Sequence, residues 1–204
     1  GLHLGSASML VAMLVATVEG DRILCCGPRG RDDSAIERAI DWMGRNFAVT
    51  HNPGKSVWRF YYLYGVERVG RLTARRFFHN PRTAEAYDWY REGAASLVAD
   101  RGTLQDFWRG QPPAEHDPHI ATSLALLFLS KGRLPILMAK LKHSSEGDWN
   151  RYRGDVNNLT RYVEAQWRRD LTWQTIDLAG ASVDDLLETP VALLSGGDSP
   201  LPEG

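Results

Sequence analysis

Cysteine is almost missing from this 204-residue chain: Cys25 and Cys26 are the only two, and they are neighbours. Disulfide geometry is hard to meet across one peptide bond, so the pair is not a disulfide framework and is read as part of a connecting loop. Neither sign of charge prevails. Lys and Arg number 24 against 25 Asp and Glu, a formal net charge of −1, which gives no electrostatic reason to expect nucleic acid or an anionic membrane surface as a partner. A hydrophobic run of membrane length is lacking too. The apolar stretch Ser6–Val18 spans about 20 Å as a helix, short of the hydrocarbon core of about 30 Å. It has no basic flank and no cleavage pattern, so it reads as a buried helix rather than a signal. The chain opens on Gly1 rather than Met; the natural N-terminus is expected to be missing, which leaves the compartment unassigned. No G-x-G-x-x-G, P-loop or G-x-S-x-G is present.

What is present is an ordinary globular composition, with 43% apolar and 24% charged residues. The length suits one large domain or two small ones. Tryptophan is plentiful at seven copies, and burying each removes about 150–250 Å² from water.

Two patterns of periodicity follow one another along the chain. Up to about Gly132 the pattern is helical. Ser6–Val18 ends in Glu19-Gly20-Asp21, and the charged, Gly-rich loop Gly27–Asp33 follows. Ser34 and Glu37 have the spacing of a capping box, and Ile36, Ile40, Met43 and Phe47 recur at helical intervals behind them. A third helix is expected from Ser56, with Gly70 as its C′ residue. A fourth is expected over Thr83–Ala99 and a fifth over Ile120–Ser130. The fifth has Asp117 as its cap and Pro118 in its first turn. Being apolar all round, it is expected to be buried on most sides. Trp58 and Trp108 each follow a Gly-containing loop and precede a helix, which reads as a repeat of helical hairpins.

After Lys131 the pattern changes. Leu134–His143 reads as a strand, Asp155 as the cap of a helix with Val156, Leu159, Val163 and Trp167 on one face, and Leu171–Asp177 as a second strand. Ser182 and Asp185 cap a short helix, and Pro190–Gly197 is a third strand. Alternating strands and helices imply a parallel sheet with right-handed crossovers. Three strands are few for an open α/β domain, so this half is expected to be the start of a larger unit.

The segments Ser56–Phe77, Tyr87–Gly102 and Thr122–His143 together resemble the α/α-toroid repeats of squalene cyclases and protein prenyltransferases, in a branch found in large bacterial proteins of unknown function. The stretches Asp148–Leu178 and Glu188–Pro200 resemble the opening of the domain that follows in that branch, which has a glutamine-amidotransferase-like, flavodoxin-like fold. The resemblance covers most of the chain after residue 34. It implies a bacterial protein, a mainly α fold of α/α-hairpin repeats (a partial α/α toroid) over residues 1–134, and a partial α/β parallel-sheet unit over 135–204. Departures are plain. The Asp-x-Asp-Asp acid motif of the cyclases is reduced to Gly30-Arg31-Asp32-Asp33 and Ser182-Val183-Asp184-Asp185. The Asp, Cys and His set that holds zinc in prenyltransferases is not evident. The cysteine nucleophile of an amidotransferase has no counterpart here, since both cysteines lie far upstream.

Candidate site residues follow from the same segments. Trp58, Tyr61, Tyr62, Trp89, Tyr90 and Trp108, with Tyr64 beside them, are the ligand-binding candidates; by the resemblance they would line the mouth of an apolar cavity for an isoprenoid chain. Their competing role is to fill space between helices. Asp184–Glu188 matches an acidic magnesium motif by letter, yet its first carboxylates suit the first turn of a helix. His116, Asp117 and His119 are chemically fit for a metal, but Pro118 breaks the face that would align them. His143 and Asp148 flank the first loop of the α/β half, where open sheets place ligands. The glycines of Ser195–Ser199 could approach a phosphate. No metal, cofactor or catalytic residue is assigned.

The expectation is therefore a non-catalytic binding or scaffold module within a larger multidomain chain. It would carry squalene-cyclase-like repeats, with an apolar or isoprenoid ligand as its possible partner. The alternative is an enzyme of terpenoid-cyclase or prenyltransferase type acting on an isoprenoid lipid.

Overall fold

The computed structural model describes residues 34–101, 106–131, 135–144, 147–152 and 154–196. The expected helix at Ser6–Val18, the loop Gly27–Asp33 with both cysteines, and the side chain of Ser34 in its capping box lie outside the described residues. Among the described residues, six helices and five strands in two small sheets, about 47% helix and 16% strand, correct the expectation of a mainly α fold to α/β. The chain forms two compact units. The first comprises Gly1–Thr73 and Phe77–Arg133; the second comprises Ala74–Arg76 and Leu134–Gly204.

In the first unit, α1 (Ser34–Arg45) and α2 (Arg59–Leu72) are followed by β1 (Phe77–His79) and β2 (Ala86–Asp88), an antiparallel pair, and then by α3 (Trp89–Arg101) and α4 (Pro118–Lys131). The hairpin corrects the helix expected over Thr83–Ala99. Pro81 sits between the strands, and Ala84 turns the chain with φ of 60°. Tyr87, which the helical spacing grouped with Tyr90, instead stacks on Phe47 at 5.1 Å between ring centres.

The core of this unit gathers Ile36, Ile40 and Met43 from α1, Phe60, Leu63, Val66 and Val69 from α2, Leu97 from α3, and Ala121, Ala125 and Phe128 from α4. Close approach depends on glycines in the helices. A Cβ on Gly70 would collide with the Trp89 ring, and one on Gly93 with Phe128. Glycine is a poor helix former, so its use at both positions is explained by the large rings that need the room. α4 departs from expectation. It buries only the stripe Ala121, Ala125 and Phe128, and leaves Ile120, Leu126 and Leu127 exposed.

The second unit is a three-stranded parallel sheet, β3 (Ile136–Lys142), β4 (Thr172–Asp177) and β5 (Ala192–Leu193), in the order β4-β3-β5. Arg75 adds a one-residue parallel bridge to Thr175 on β4, and the Thr175 amide donates to the Ala74 carbonyl at 2.6 Å. After β3, a 3₁₀ turn (Gly147–Asn150) leads to α5 (Asp155–Trp167); between β4 and β5 lies α6 (Val183–Leu187). β4 and β5 lie on opposite sides of β3, so right-handed crossovers put α5 and α6 on opposite faces of the sheet. The side chains agree. Alternation along β3 sends Lys140 to Asp155 at the start of α5, while Ala139 and Leu141, with Ile176, pack with Leu186 of α6.

α5 carries a further correction. It buries Val156 and Thr160, whereas Leu159 and Trp167 are exposed. A sheet of three short strands offers a footprint too narrow to cover the whole apolar stripe.

Candidate functional site

The six aromatic candidates divide by burial. Tyr62, Trp89 and Trp108 are buried; Trp58, Tyr61 and Tyr90 keep part of their surface exposed. α2 places Tyr62 inward, where its hydroxyl accepts a hydrogen bond from the Ala48 amide at 3.4 Å. Burial pushes its pKa up to about 12, so the phenol stays protonated. Trp89 opens α3 and meets Phe128 edge-on at 6.0 Å, and Tyr90 stacks on the same ring at 5.7 Å. The Tyr90 hydroxyl donates to the Leu129 carbonyl at 3.1 Å. Trp108 donates through Nε1 to the Leu97 carbonyl at 2.8 Å. Trp58 and Tyr61 meet edge to face at 6.3 Å. The Trp89 ring is thus spent on Tyr90 and Phe128, and the Arg101 guanidinium lies over the Trp108 ring.

Trp58 stands at the N-cap of α2 with φ of 67° and ψ of 39°, and no side chain of its own caps the helix. A bulky residue rarely adopts this left-handed region. The missing cap comes from far along the chain. The carboxylate of the buried Glu115 accepts the Tyr61 amide proton at 2.7 Å, while Gly110 donates its amide to the Glu115 carbonyl at 2.7 Å. A carboxylate here answers both the unpaired amides and the dipole of the helix. Burial raises the Glu115 pKa against the opposing pull of the Tyr61, Phe60 and Arg59 amides. No pattern of spacing could have announced this residue, because its partner lies 54 positions away.

A cleft of about 230 Å³ opens at the start of α4, lined by Phe107, Pro118, His119, Thr122 and Ser123. His116 and Asp117 lie just before it in sequence. Asp117 caps α4, accepting the His119 amide at 2.8 Å.

In the second unit the strand order reverses at β3, and in such sheets the crevice beyond the strand ends is where ligands bind. There His143 Nε2 lies 2.9 Å from the Ser195 carbonyl. A carbonyl can only accept, so His143 Nε2 is the donor of this bond. The Ser195 hydroxyl donates to the Trp149 carbonyl at 2.8 Å. It is therefore engaged with backbone rather than with a base, and the two groups tie loops together without forming a nucleophile–base pair. Asp148 lies in the 3₁₀ turn, its side chain outside the described residues.

Besides the Lys142–Asp177 ion pair at 2.6 Å, two charged clusters mark the described part of the unit. Lys140, buried in the middle of the sheet, donates to both oxygens of Asp155 at 2.8 and 2.9 Å and to the Tyr152 carbonyl at 2.9 Å. Asp155 is thus the ion partner of Lys140, not the cap of α5, which is Gly154. A cation flanked by apolar residues in the strand run was the signal for this pair, since a covered strand must supply a buried charge with a partner. The second cluster is the acidic run of α6. Ser182 and Asp185 form the expected capping box, and Arg76 reaches both Asp185 at 3.5 Å and Glu188. Among the described residues no group of three His, Cys, Asp or Glu side chains is placed to hold a metal ion, and no helix is long and apolar enough to cross a membrane. No family model, characterised protein or solved structure matches the chain.

Proposed function

We propose that the chain is a non-catalytic binding or scaffold module, its first unit related to the helical repeats of squalene cyclases and prenyltransferases. The observation that supports this reading most is the fate of the aromatic rings. Tyr62, Trp89 and Trp108 are enclosed in the core, where relatives by resemblance would hold rings open to substrate. The polar clusters point the same way. Glu115 caps a helix, Asp185 and Glu188 are paired with Arg76, and Ser195 is bonded to backbone, so each of these four groups already has a structural task.

A second reading is favoured by Trp58 and Tyr61, which keep part of their rings at the surface. They would hold an apolar or isoprenoid ligand at the start of α2. Incubation with a farnesyl-type allylic diphosphate and with a triterpene polyene separates the readings. The scaffold predicts no product and no change in tryptophan fluorescence. A fluorescence change abolished by Trp58→Ala supports ligand binding, and formation of any cyclised or transferred product contradicts both.

A further inference from the structure

The described charges of the second unit are unevenly shared. Asp155 is paired with Lys140, Asp177 with Lys142, and Asp185 and Glu188 with Arg76. Arg151, Arg161, Arg168 and Arg169 lie on or beside α5, are exposed, and form no ion pair among the described residues. The same stretch supplies two further carboxylates: Asp170, and Glu164, which is engaged with the Leu171 amide at 2.9 Å. The balanced net charge of the whole chain thus conceals a basic side on this unit. The arginines also adjoin aromatic rings. Tyr152 follows Arg151, Tyr162 follows Arg161, and Trp167 precedes Arg168 and Arg169. The three aromatic residues are 62%, 64% and 64% exposed, and none of their rings meets another ring among the described residues.

We infer that this side of the second unit binds single-stranded nucleic acid, with bases stacked on Tyr152, Tyr162 and Trp167 and phosphates held by the four arginines. Single strands are bound by aromatic platforms set among cationic side chains, because every base has a π face and every link a charge. A guanidinium also grips phosphate oxygens two at a time. The geometry selects a single strand over other anions. Tyr162 is turned away from the buried Val156 and Thr160. Trp167 comes five residues later, about 140° round the helix axis and about 7.5 Å along it. A flat membrane surface meets one face of a helix and would leave one of these two rings unused. The exposed positions of α5 also include Asn158 and Gln166, so the helix does not present the apolar face of an interfacial helix. A duplex hides its base faces in the stack and is stiff over about 150 base pairs. A flexible strand can turn with the surface from Tyr162 to the end of the helix. The 13-residue α5 is about 20 Å long, the scale of a site for about four nucleotides.

The test is the fluorescence anisotropy of a labelled oligo(dT) of about 20 nucleotides titrated with the full chain. With three or four phosphates neutralised, affinity should fall about 20- to 50-fold between about 50 and 200 mM salt. Tyr162→Ala/Trp167→Ala should weaken binding about ten-fold or more at constant salt. Arg161→Gln/Arg168→Gln/Arg169→Gln should weaken it and flatten the salt dependence. Arg82→Gln/Arg91→Gln/Arg109→Gln removes as much charge from exposed positions of the first unit and should change neither. Every replaced side chain is exposed, so the variants should keep the wild-type circular dichroism. Absence of binding at the lower salt overturns the inference. So does binding that the ring replacements leave unchanged, or that the first-unit variant weakens as much. A duplex of the same length, phosphatidylserine vesicles or a polyglutamate peptide bound as tightly as oligo(dT) also overturns it.

Discussion

Glu115 and Tyr61 join the loop before α4 to the first turn of α2, carboxylate oxygen to backbone amide at 2.7 Å. Burial raises the Glu115 pKa above the ordinary 4.5, so the folded state favours the proton more than the unfolded chain does. The sign follows. The contribution of Glu115 to stability is greatest below pH 4.5 and declines as pH rises through the folded-state pKa. Glu115→Gln keeps an acceptor for Tyr61 and removes the titration. Melting temperatures of both proteins across pH 4 to 7 should show the wild type losing stability relative to the variant as pH rises. A constant difference would contradict the assignment.

Gly70 and Trp89 make the second prediction. Gly70→Ala gains about 0.5–1 kcal/mol in helix propensity but forces a methyl group into an enclosed ring, and overpacking costs about 1–3 kcal/mol. Net destabilisation in urea unfolding is expected. It should shrink in Gly70→Ala/Trp89→Leu, measured against Trp89→Leu alone, because the shorter side chain vacates the contact.

Lys140 and Asp155 are paired but unequally buried: the Lys140 side chain is 2% exposed and that of Asp155 26%. Removing one partner of a buried pair costs about 3–5 kcal/mol when the remaining charge is stranded. Asp155→Asn strands the enclosed ammonium and should fall in that range. Lys140→Met leaves a carboxylate that water reaches, and should cost less. Urea unfolding of the two variants tests the order; equal losses contradict it.

The acidic run of α6 gives a prediction about metal. Asp185 and Glu188 face Arg76 and Asp185 also closes the capping box, so magnesium should leave the melting temperature unchanged. Arg76→Ala should cost about 1–3 kcal/mol, because the Arg76 side chain is only 10% exposed and its loss removes a partner from the largely buried Asp185 carboxylate. A clear rise in melting temperature with magnesium would instead assign Asp184–Glu188 to a metal.

What could be foreseen from the sequence was local. Ser182 with Asp185, and Asp117 before Pro118, announce helix starts because cap and amide lie within three residues of each other. The strand at Leu134–His143 was legible from its apolar run and is found at Ile136–Lys142. What escaped was set by distant partners. Tyr87, Tyr90, Ala94 and Leu97 fit a helical period, yet Tyr87 lies in a strand paired with Phe78. Leu159 and Trp167 fit the apolar face of α5, but the sheet beneath does not reach them. Glu115 and Arg76 carry no local mark of their tasks, since their partners lie 54 and 112 positions away. The aromatic candidates were found as a set, while the division into enclosed and half-exposed rings depends on which helix each one faces.

Native mass spectrometry of the full chain, after exposure to a lipid extract, tests the scaffold reading most directly. The bare chain mass is predicted, because three of the six candidate rings, Tyr62, Trp89 and Trp108, are enclosed in the core. An isoprenoid retained in stoichiometric amount would contradict it.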